Sequence, residues 1–459
     1  MTVKTFVLNI SPGPVRRALA RIEASPLGYR LARGAFWTLA GAVISRGLAL
    51  ISSIIIARLL GKEGFGQLGV IQGTVGMFGT FAGFGLGMTA TKYVAEFRKS
   101  DPARAGRIIS LSRRVAAITG SVMAVTLIVM APWLATHTLA APELGPILRI
   151  VAAMLFLSAL TGAQSGALAG FEAFKSIAKV TLATGVLSFP LMVAGVYFGG
   201  LEGAAWALVA CSAANWLLNY LVLRRETIAA GVPLRVSPSR EDWKVLWSFS
   251  IPATLGGILV GPTNWVCSAI LVNQPNGYAE MGLFNAASQW RTAVLFLPAA
   301  VGGIVLPILS NLRGDGDHRR YKKVLWLNVL LNGGVATLVA ILAIALARPI
   351  MASYGKGFED GALVLMVLVA SAVLASVNSV VGQAIASANK MWLGLVFNSL
   401  WASVVVITTA TLAPHFGSLG LALAICAGYA VLSGSTSLYV IRTGLGATST
   451  CENCLRTTR

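Results

Sequence analysis

Long stretches of this chain carry almost no charge. "LAGAVISRGLALISSII" (39–55) holds a single charged side chain, Arg46. A helix rises about 1.5 Å per residue, so about 20 apolar residues cross the roughly 30 Å of hydrocarbon in a bilayer. Twelve segments reach that length: 35–59, 66–94, 108–131, 147–169, 177–199, 203–223, 246–272, 280–310, 325–349, 362–387, 392–413 and 419–441. The turns between them are too short to hold a soluble domain. Only 11% of the 459 residues are charged, against 56% hydrophobic, and the mean hydropathy is +0.76. A soluble domain of ordinary composition carries about 25% charged residues. The chain reads as an all-α integral membrane protein.

The net charge is +20. In a membrane protein Lys and Arg collect in cytoplasmic loops, so this excess sets orientation. With the N-terminus cytoplasmic, 28 of the 36 Lys and Arg fall on that side. Arg58, Lys62, Arg149, Arg348 and Lys356 fall outside, and Arg46, Lys92 and Arg291 lie within spans. Both termini are therefore expected inside a bacterial inner membrane. No DNA-reading basic helix or aromatic–basic RNA motif is present, so nucleic acid is not an expected partner. Residues 1–34 form a basic arm that lacks a cleavable signal. "VRRALARIEASPLGYRLAR" reads either as a helix lying on the inner leaflet or as an unstructured arm. Cys211, Cys267 and Cys426 sit in apolar segments as small core residues. Cys451 and Cys454, in a tail over 442–459, read as free thiols, because a lone CxxC is a weak zinc or redox signal.

The chain repeats itself at an offset of 213 to 217 residues. "GKEGFGQLG" (61–69) aligns with "QPNGYAEMG" (274–282), "ALAGFE" (167–172) with "AIASAN" (384–389), and "GAAWALVA" (203–210) with "GLALAICA" (420–427). Each half holds six spans, an even number, so both halves enter from the same side. The result is a parallel repeat, a known transporter architecture. Two six-helix bundles, 35–223 and 246–441, are expected, joined by a polar cytoplasmic linker over 224–245 with Pro233 and Pro238.

The turn "ARLLGKEGFGQLG" (57–69) and the segment "VLPILSNLRGDGD" (305–317), with Pro307 and Ser310 just before a basic loop, resemble the Wzx-type lipid-linked oligosaccharide flippases. These polysaccharide biosynthesis proteins belong to the MOP superfamily, with the MATE drug exporters and the lipid II flippases. The resemblance runs over about residues 33 to 441. It implies a MATE-like, V-shaped pair of bundles. It also implies that an undecaprenyl-diphosphate-linked oligosaccharide moves by alternating access from the cytoplasmic to the periplasmic leaflet, for O-antigen, exopolysaccharide or capsule assembly. It further implies a monomeric transporter among membrane lipids, with a polysaccharide polymerase and a chain-length regulator as partners, and cationic residues in the cavity. That last role is carried to Arg46 and Arg291. Lipid II flippases carry 14 helices as a rule, two more than are counted here.

Arg46 lies near the centre of the first span and Arg291 about twelve residues into the eighth. A charge at mid-bilayer costs about 2.5–3.5 kcal/mol on insertion scales, so it faces protein or water. No Asp or Glu lies deep in any span. Each arginine is therefore either a capping residue for backbone carbonyls or a site for an anionic ligand such as a lipid diphosphate, whose oxygens match the guanidinium fork. Lying in different bundles, the two could converge on one diphosphate. A diphosphate leaving a negative interior would gain about 2.3 kcal/mol per charge per 100 mV. Lys92 either receives phosphate at the cytoplasmic entry or snorkels to the headgroups. Arg113 and Arg114 read as interfacial. Gln72, Asn264, Asn285, Gln289 and Gln383 could touch sugar, and Trp265 and Trp290 could stack on it; interhelical hydrogen bonding is the alternative for each. Glycines from Gly73 to Gly87, together with Pro252, Pro262 and Pro298, mark the second, seventh and eighth spans as bending elements, with Gly83 as the expected hinge.

No enzyme is expected. His137, His318 and His415 lie in separate loops, no phosphate-binding loop is present, and no metal or cofactor is implied. A membrane glycan polymerase would need charged residues on a substantial outer loop. A MATE-like cation-coupled drug exporter would need an intramembrane carboxylate.

Overall fold

The computed structural model describes residues 26–83, 85–233, 242–243, 258–302, 318–387 and 391–443. All regular structure among them is helical. The first half holds α1 (Pro26–Gly83), α2 (Leu86–Phe97), α3 (Pro102–Trp133), α4 (Leu144–Val151), α5 (Ala153–Gly170) and α6 (Phe174–Ala229). The second holds α7 (Val260–Val272), α8 (Gly277–Gly302), α9 (His318–Ala345), α10 (Ala347–Ala352), α11 (Ala362–Ser387) and α12 (Met391–Thr443).

Seven stretches among the described residues are long and apolar enough to span a membrane. Three of these, of 43, 56 and 49 residues, exceed the roughly 20 needed for one crossing. Each is folded at glycine. In α1 the break is Gly61 (φ 71°), in α6 it is Gly199 and Gly200 (φ 54°, ψ −132°), and in α12 it is Gly417 (φ 53°, ψ −128°). Gly200 and Gly417 share a left-handed conformation that L side chains avoid, and they lie 217 residues apart, at the offset of the internal repeat. The chain doubles back at both: Gly203 packs on the Gly195 carbonyl and Gly420 on that of Leu412. The hairpin pairing of spans five with six and eleven with twelve is therefore a property of the glycines.

The bounds expected from sequence shift in several places. The second span, expected over 66–94, is two helices, since Gly85 (φ 61°) separates α1 from α2. The fourth span begins at Leu144 and is interrupted at Ala152 between α4 and α5. Helix α6 continues to Ala229, into the segment read as linker. Asp101 caps α3 by accepting from the Arg104 amide at 2.9 Å, with Pro102 at the first helical position.

Helices α1 to α6 pack as one lobe and α7 to α12 as another. Within the first, α5 presents Gly162, Gly166 and Gly170 one turn apart. Gly166 and Gly170 meet Gly87 and Val94 of α2, and Thr91 donates to the Gly166 carbonyl at 2.9 Å. Such small-residue stripes let membrane helices approach to backbone contact. Large apolar side chains face outward, with Val129 72% and Phe198 83% exposed. A lipid-facing surface requires this, whereas water would not tolerate it over so many residues. The lobes meet chiefly through α1 on one side and α7 and α8 on the other.

Candidate functional site

The turns at Gly61, Gly200, Asn276 and Gly417 gather at one end of the molecule with the loops at 139–143 and 353–361. Several contacts between the lobes lie there. Asn273 Nδ2 donates to the Thr138 carbonyl at 2.7 Å, and the Tyr278 hydroxyl to that of Leu139 at 2.6 Å. Arg58 Nε donates to the Ser353 carbonyl at 2.7 Å. The repeated turns lock symmetrically: Gly66 lies against the Tyr278 carbonyl and Gly282 against that of Lys62. Below them, fully buried Tyr354 shares a 3.1 Å hydrogen bond with Ser53 and accepts one of 3.2 Å from Trp290 Nε1. Its ring packs against Phe65 and Phe358.

Under this seal lies a cavity of about 700 Å³, within the range of about 300–1,000 Å³ usual for ligand sites. Helix α1 contributes Ser45, Ser52, Ser53 and Gln72; α6 contributes Thr181, Thr184, Ser188 and Asn215; α8 contributes Asn285 and Gln289. Residues 45 and 72 could not share a cavity if α1 ran straight, so the Gly61 break builds the site. Asn285 Nδ2 also donates to the Phe65 carbonyl at 3.3 Å. Apart from the Cys211 thiol, every polar lining side chain is a hydroxyl or an amide, and no lining residue is charged. The wall is thus a set of neutral donors and acceptors set among apolar residues.

Arg46 borders this wall without lining it. Positions 45, 48, 49, 52, 53 and 56 form the lining stripe of the first arm. At 3.6 residues per turn, Arg46 falls about 20° beyond its Ser53 edge. Its Nε is buried and has no hydrogen-bond partner. Arg291 is elsewhere. Its Nε donates to Ser371 Oγ at 3.0 Å, and its guanidinium carbon stands 5.1 Å from the centre of the Tyr429 ring. Both partners belong to the second lobe. In this conformation the partners of Arg291 lie within its own bundle, and neither arginine lines the large cavity.

Of the other expected residues, Gln72, Asn285 and Gln289 line the cavity. Asn264 is exposed on α7, away from it, and Lys92 is exposed on α2 with Nζ 5.0 Å from the Tyr93 ring centre. Trp265 donates to Thr74 Oγ1 at 2.9 Å across the lobe seam, and Trp290 is held by Tyr354, so both indoles join helices. The backbone break lies at Gly85, two residues beyond Gly83, which ends α1. Pro262 occupies the first turn of α7, where its missing N–H disturbs no helical bond. Pro298 lies inside α8 and lines a second cavity in the second lobe. Pro252, Pro307 and the Cys451/Cys454 pair fall outside the described residues. Among those described, no group of three or more His, Cys, Asp or Glu could hold a metal. Tyr354 and Ser371 carried no sequence signal of their own; the glycines at 355 and 357 (φ 120° and 79°) mark only that Tyr354 adjoins a turn.

Comparisons with known proteins agree with this architecture. Residues 31–313 match the family described as Polysaccharide biosynthesis protein. The chain is 25% identical over 431 residues to the EPS I polysaccharide export inner membrane protein EpsE of Ralstonia solanacearum, covering 92% of this chain and 94% of that one. It is 22% identical over 294 residues to the lipid III flippase of Escherichia coli K12, covering 63% and 70%. Its fold is similar to the inward-facing structure of a multidrug resistance MATE family transporter of the MOP superfamily, with a TM-score of 0.75 over 90% of this chain and 99% of that one at 16% identity.

Proposed function

The chain belongs to the polysaccharide biosynthesis protein family, and on that premise we propose that it is a flippase moving an undecaprenyl-diphosphate-linked oligosaccharide across the bacterial inner membrane. The observation that carries this reading is the chemistry of the large cavity. Hydroxyls and amides that can both donate and accept match the hydroxyl-rich surface of a glycan. The unpaired guanidinium at the cavity edge matches a diphosphate. A cation-coupled drug exporter would need a carboxylate in the wall to hold its cargo and coupling ion, and none lines it.

The charge distribution supports a cytoplasmic location for both termini and the linker, which would put the glycine turns on the periplasmic side. The contacts around Tyr354 then close the cavity to the periplasm, and this conformer is the one that receives substrate from the inner leaflet. Opening the seal and closing the other end would deliver the glycan outward. A polymerase and a chain-length regulator would act on the product beyond the outer leaflet.

The test is a deletion strain. Lipid-linked oligosaccharide is expected to accumulate on the cytoplasmic leaflet, with loss of the surface polymer and unchanged susceptibility to cationic drugs. Normal surface polymer together with increased drug sensitivity would overturn the flippase reading in favour of drug export.

A further inference from the structure

Two donors buried in the second lobe have no acceptor. Arg291 Nη2 is shielded from solvent and unpartnered, although Nε of the same guanidinium donates to Ser371. Trp401 Nε1 is likewise buried without a partner. Both groups flank one ring: Tyr429 lies 5.1 Å from the guanidinium carbon and 5.7 Å from the Trp401 ring, centre to centre. Leaving a buried donor unmade costs about 1–3 kcal/mol, and more when it is charged. An isolated buried cation costs more again unless a counter-charge reaches it. The Ser371 hydroxyl supplies no charge, and it donates its own proton to the Leu368 carbonyl at 2.6 Å.

Space for a counter-ion exists beside these donors. A cavity of about 340 Å³ is lined by Leu295, Ala375 and Tyr429. Leu295 and Ala375 lie four residues beyond Arg291 and Ser371, one helical turn along α8 and α11. Asn332, Ser376, Asn378 and Ser379 supply the polar part of the wall, which holds no carboxylate.

We propose that the second lobe binds a monovalent anion of halide size at Nη2 of Arg291, beside Tyr429 and next to this cavity. The size follows from the donors. An oxyanion such as phosphate is best held by two parallel N–H bonds of a guanidinium fork. Here Nε is committed to Ser371, so the side-on Nε–Nη2 fork is broken, and the buried donor left open is Nη2. A spherical anion needs no fork, and it completes the charge that the lobe leaves open. The site is separate from the large cavity and does not depend on the flippase reading.

The experiment uses the full-length protein in nanodiscs of neutral lipid. Thermal melting is followed as sodium chloride replaces sodium gluconate at constant ionic strength. A saturable rise of several degrees is expected for the wild type and for Arg46→Met, and no rise for Arg291→Met. Bromide, detected by its anomalous scattering in crystals of the wild type, is expected beside Arg291; this measurement decides the matter if Arg291→Met does not fold. Identical melting in chloride and gluconate, a full chloride response in Arg291→Met, or bromide bound only elsewhere would each overturn the site. A stronger response to phosphate than to chloride would overturn the halide assignment.

Discussion

Each lobe carries one arginine deep in a helix, and the surroundings of the two differ. Arg291 has a hydroxyl at 3.0 Å, an aromatic face at 5.1 Å, and a small cavity one turn away. Arg46 has no hydrogen-bond partner for its buried Nε and stands at the rim of a cavity twice as large. The repeat does not relate them: at the offset that aligns the two turns, Arg46 faces Leu259 and Arg291 faces Phe78. The shared backbone plan is thus overlaid with separate electrostatic tasks. A cation held by its own lobe acts on that lobe, whereas a cation left free at a cavity edge is available to whatever enters.

The comparison breaks most readily at Arg46. Losing a charge-assisted hydrogen bond to substrate costs about 1.5–3 kcal/mol, which is about ten- to hundredfold in rate. Arg46→Ala at normal expression is expected to lower glycan translocation by that factor, and Arg46→Lys to recover part of it, since a point charge replaces the fork. Full activity of the alanine variant would show that Arg46 is as internal to its lobe as Arg291 is.

Next in size is the seam. Gly66 and Gly282 come from equivalent turns, and each packs on a carbonyl of the other lobe. A side chain at either position must push the lobes apart, and overpacking of this kind costs about 1–3 kcal/mol. Gly66→Val and Gly282→Val are expected to destabilise the closed seal about equally. Spin labels at the exposed positions Val129 and Leu338 should report a longer distance in both variants. A large effect from one side only would show that the seal is built by one lobe.

The third contrast lies in stability. Ser371→Ala strands Nε of Arg291 and is expected to cost about 1–3 kcal/mol in a denaturation curve. Arg46→Ala strands nothing, and removing a half-buried charge without a partner is expected to be neutral or slightly stabilising. Equal losses in both would mean that Arg46 has a partner in the folded protein.

These differences also mark how far the sequence could be read. Apolar length announced membrane helices, and the aligned turns announced two halves, because both follow from local composition. The fold-backs at Gly200 and Gly417 each lie three residues before an aligned block, so the repeat marked their neighbourhood but not the glycines themselves. Gln72, Asn285 and Gln289 were legible as polar groups within apolar spans. Their use in the cavity depends on which face of the helix turns inward, and periodicity cannot reveal that in helices that are apolar all round. For the same reason Arg291 could not be separated from Arg46: both read as lone charges, and only Ser371, eighty residues away in sequence, distinguishes them. The break at Gly85 was hidden among the eight glycines of the second span, since only its positive φ, not its identity, sets it apart.

The smallest expected effect concerns the turn after α5. Glu172 adopts a left-handed conformation (φ 57°), and the aligned position in the second half is Asn389. Asparagine tolerates that conformation, whereas other residues lose about 1–2 kcal/mol in it. In the first lobe the Glu172 carboxylate meets Arg98 at 2.6 Å. That hydrogen-bonded pair holds the Glu172 carboxyl below its ordinary range. The Glu172 end of the pair is largely exposed and screened by solvent, so the pair contributes at most about 1 kcal/mol. At neutral pH, relief of backbone strain and loss of the pair nearly cancel, and Glu172→Asn is expected to change stability by less than about 1 kcal/mol. A depressed carboxyl stabilises the fold above its unfolded value of about 4.3, and that contribution is lost as pH falls through the lower folded value. The variant should therefore gain on the wild type in acid, by up to the full worth of the pair. A stability difference that does not move between neutral pH and about pH 3 would mean that the first lobe ends this helix by backbone geometry alone, with the charge of Glu172 playing no part.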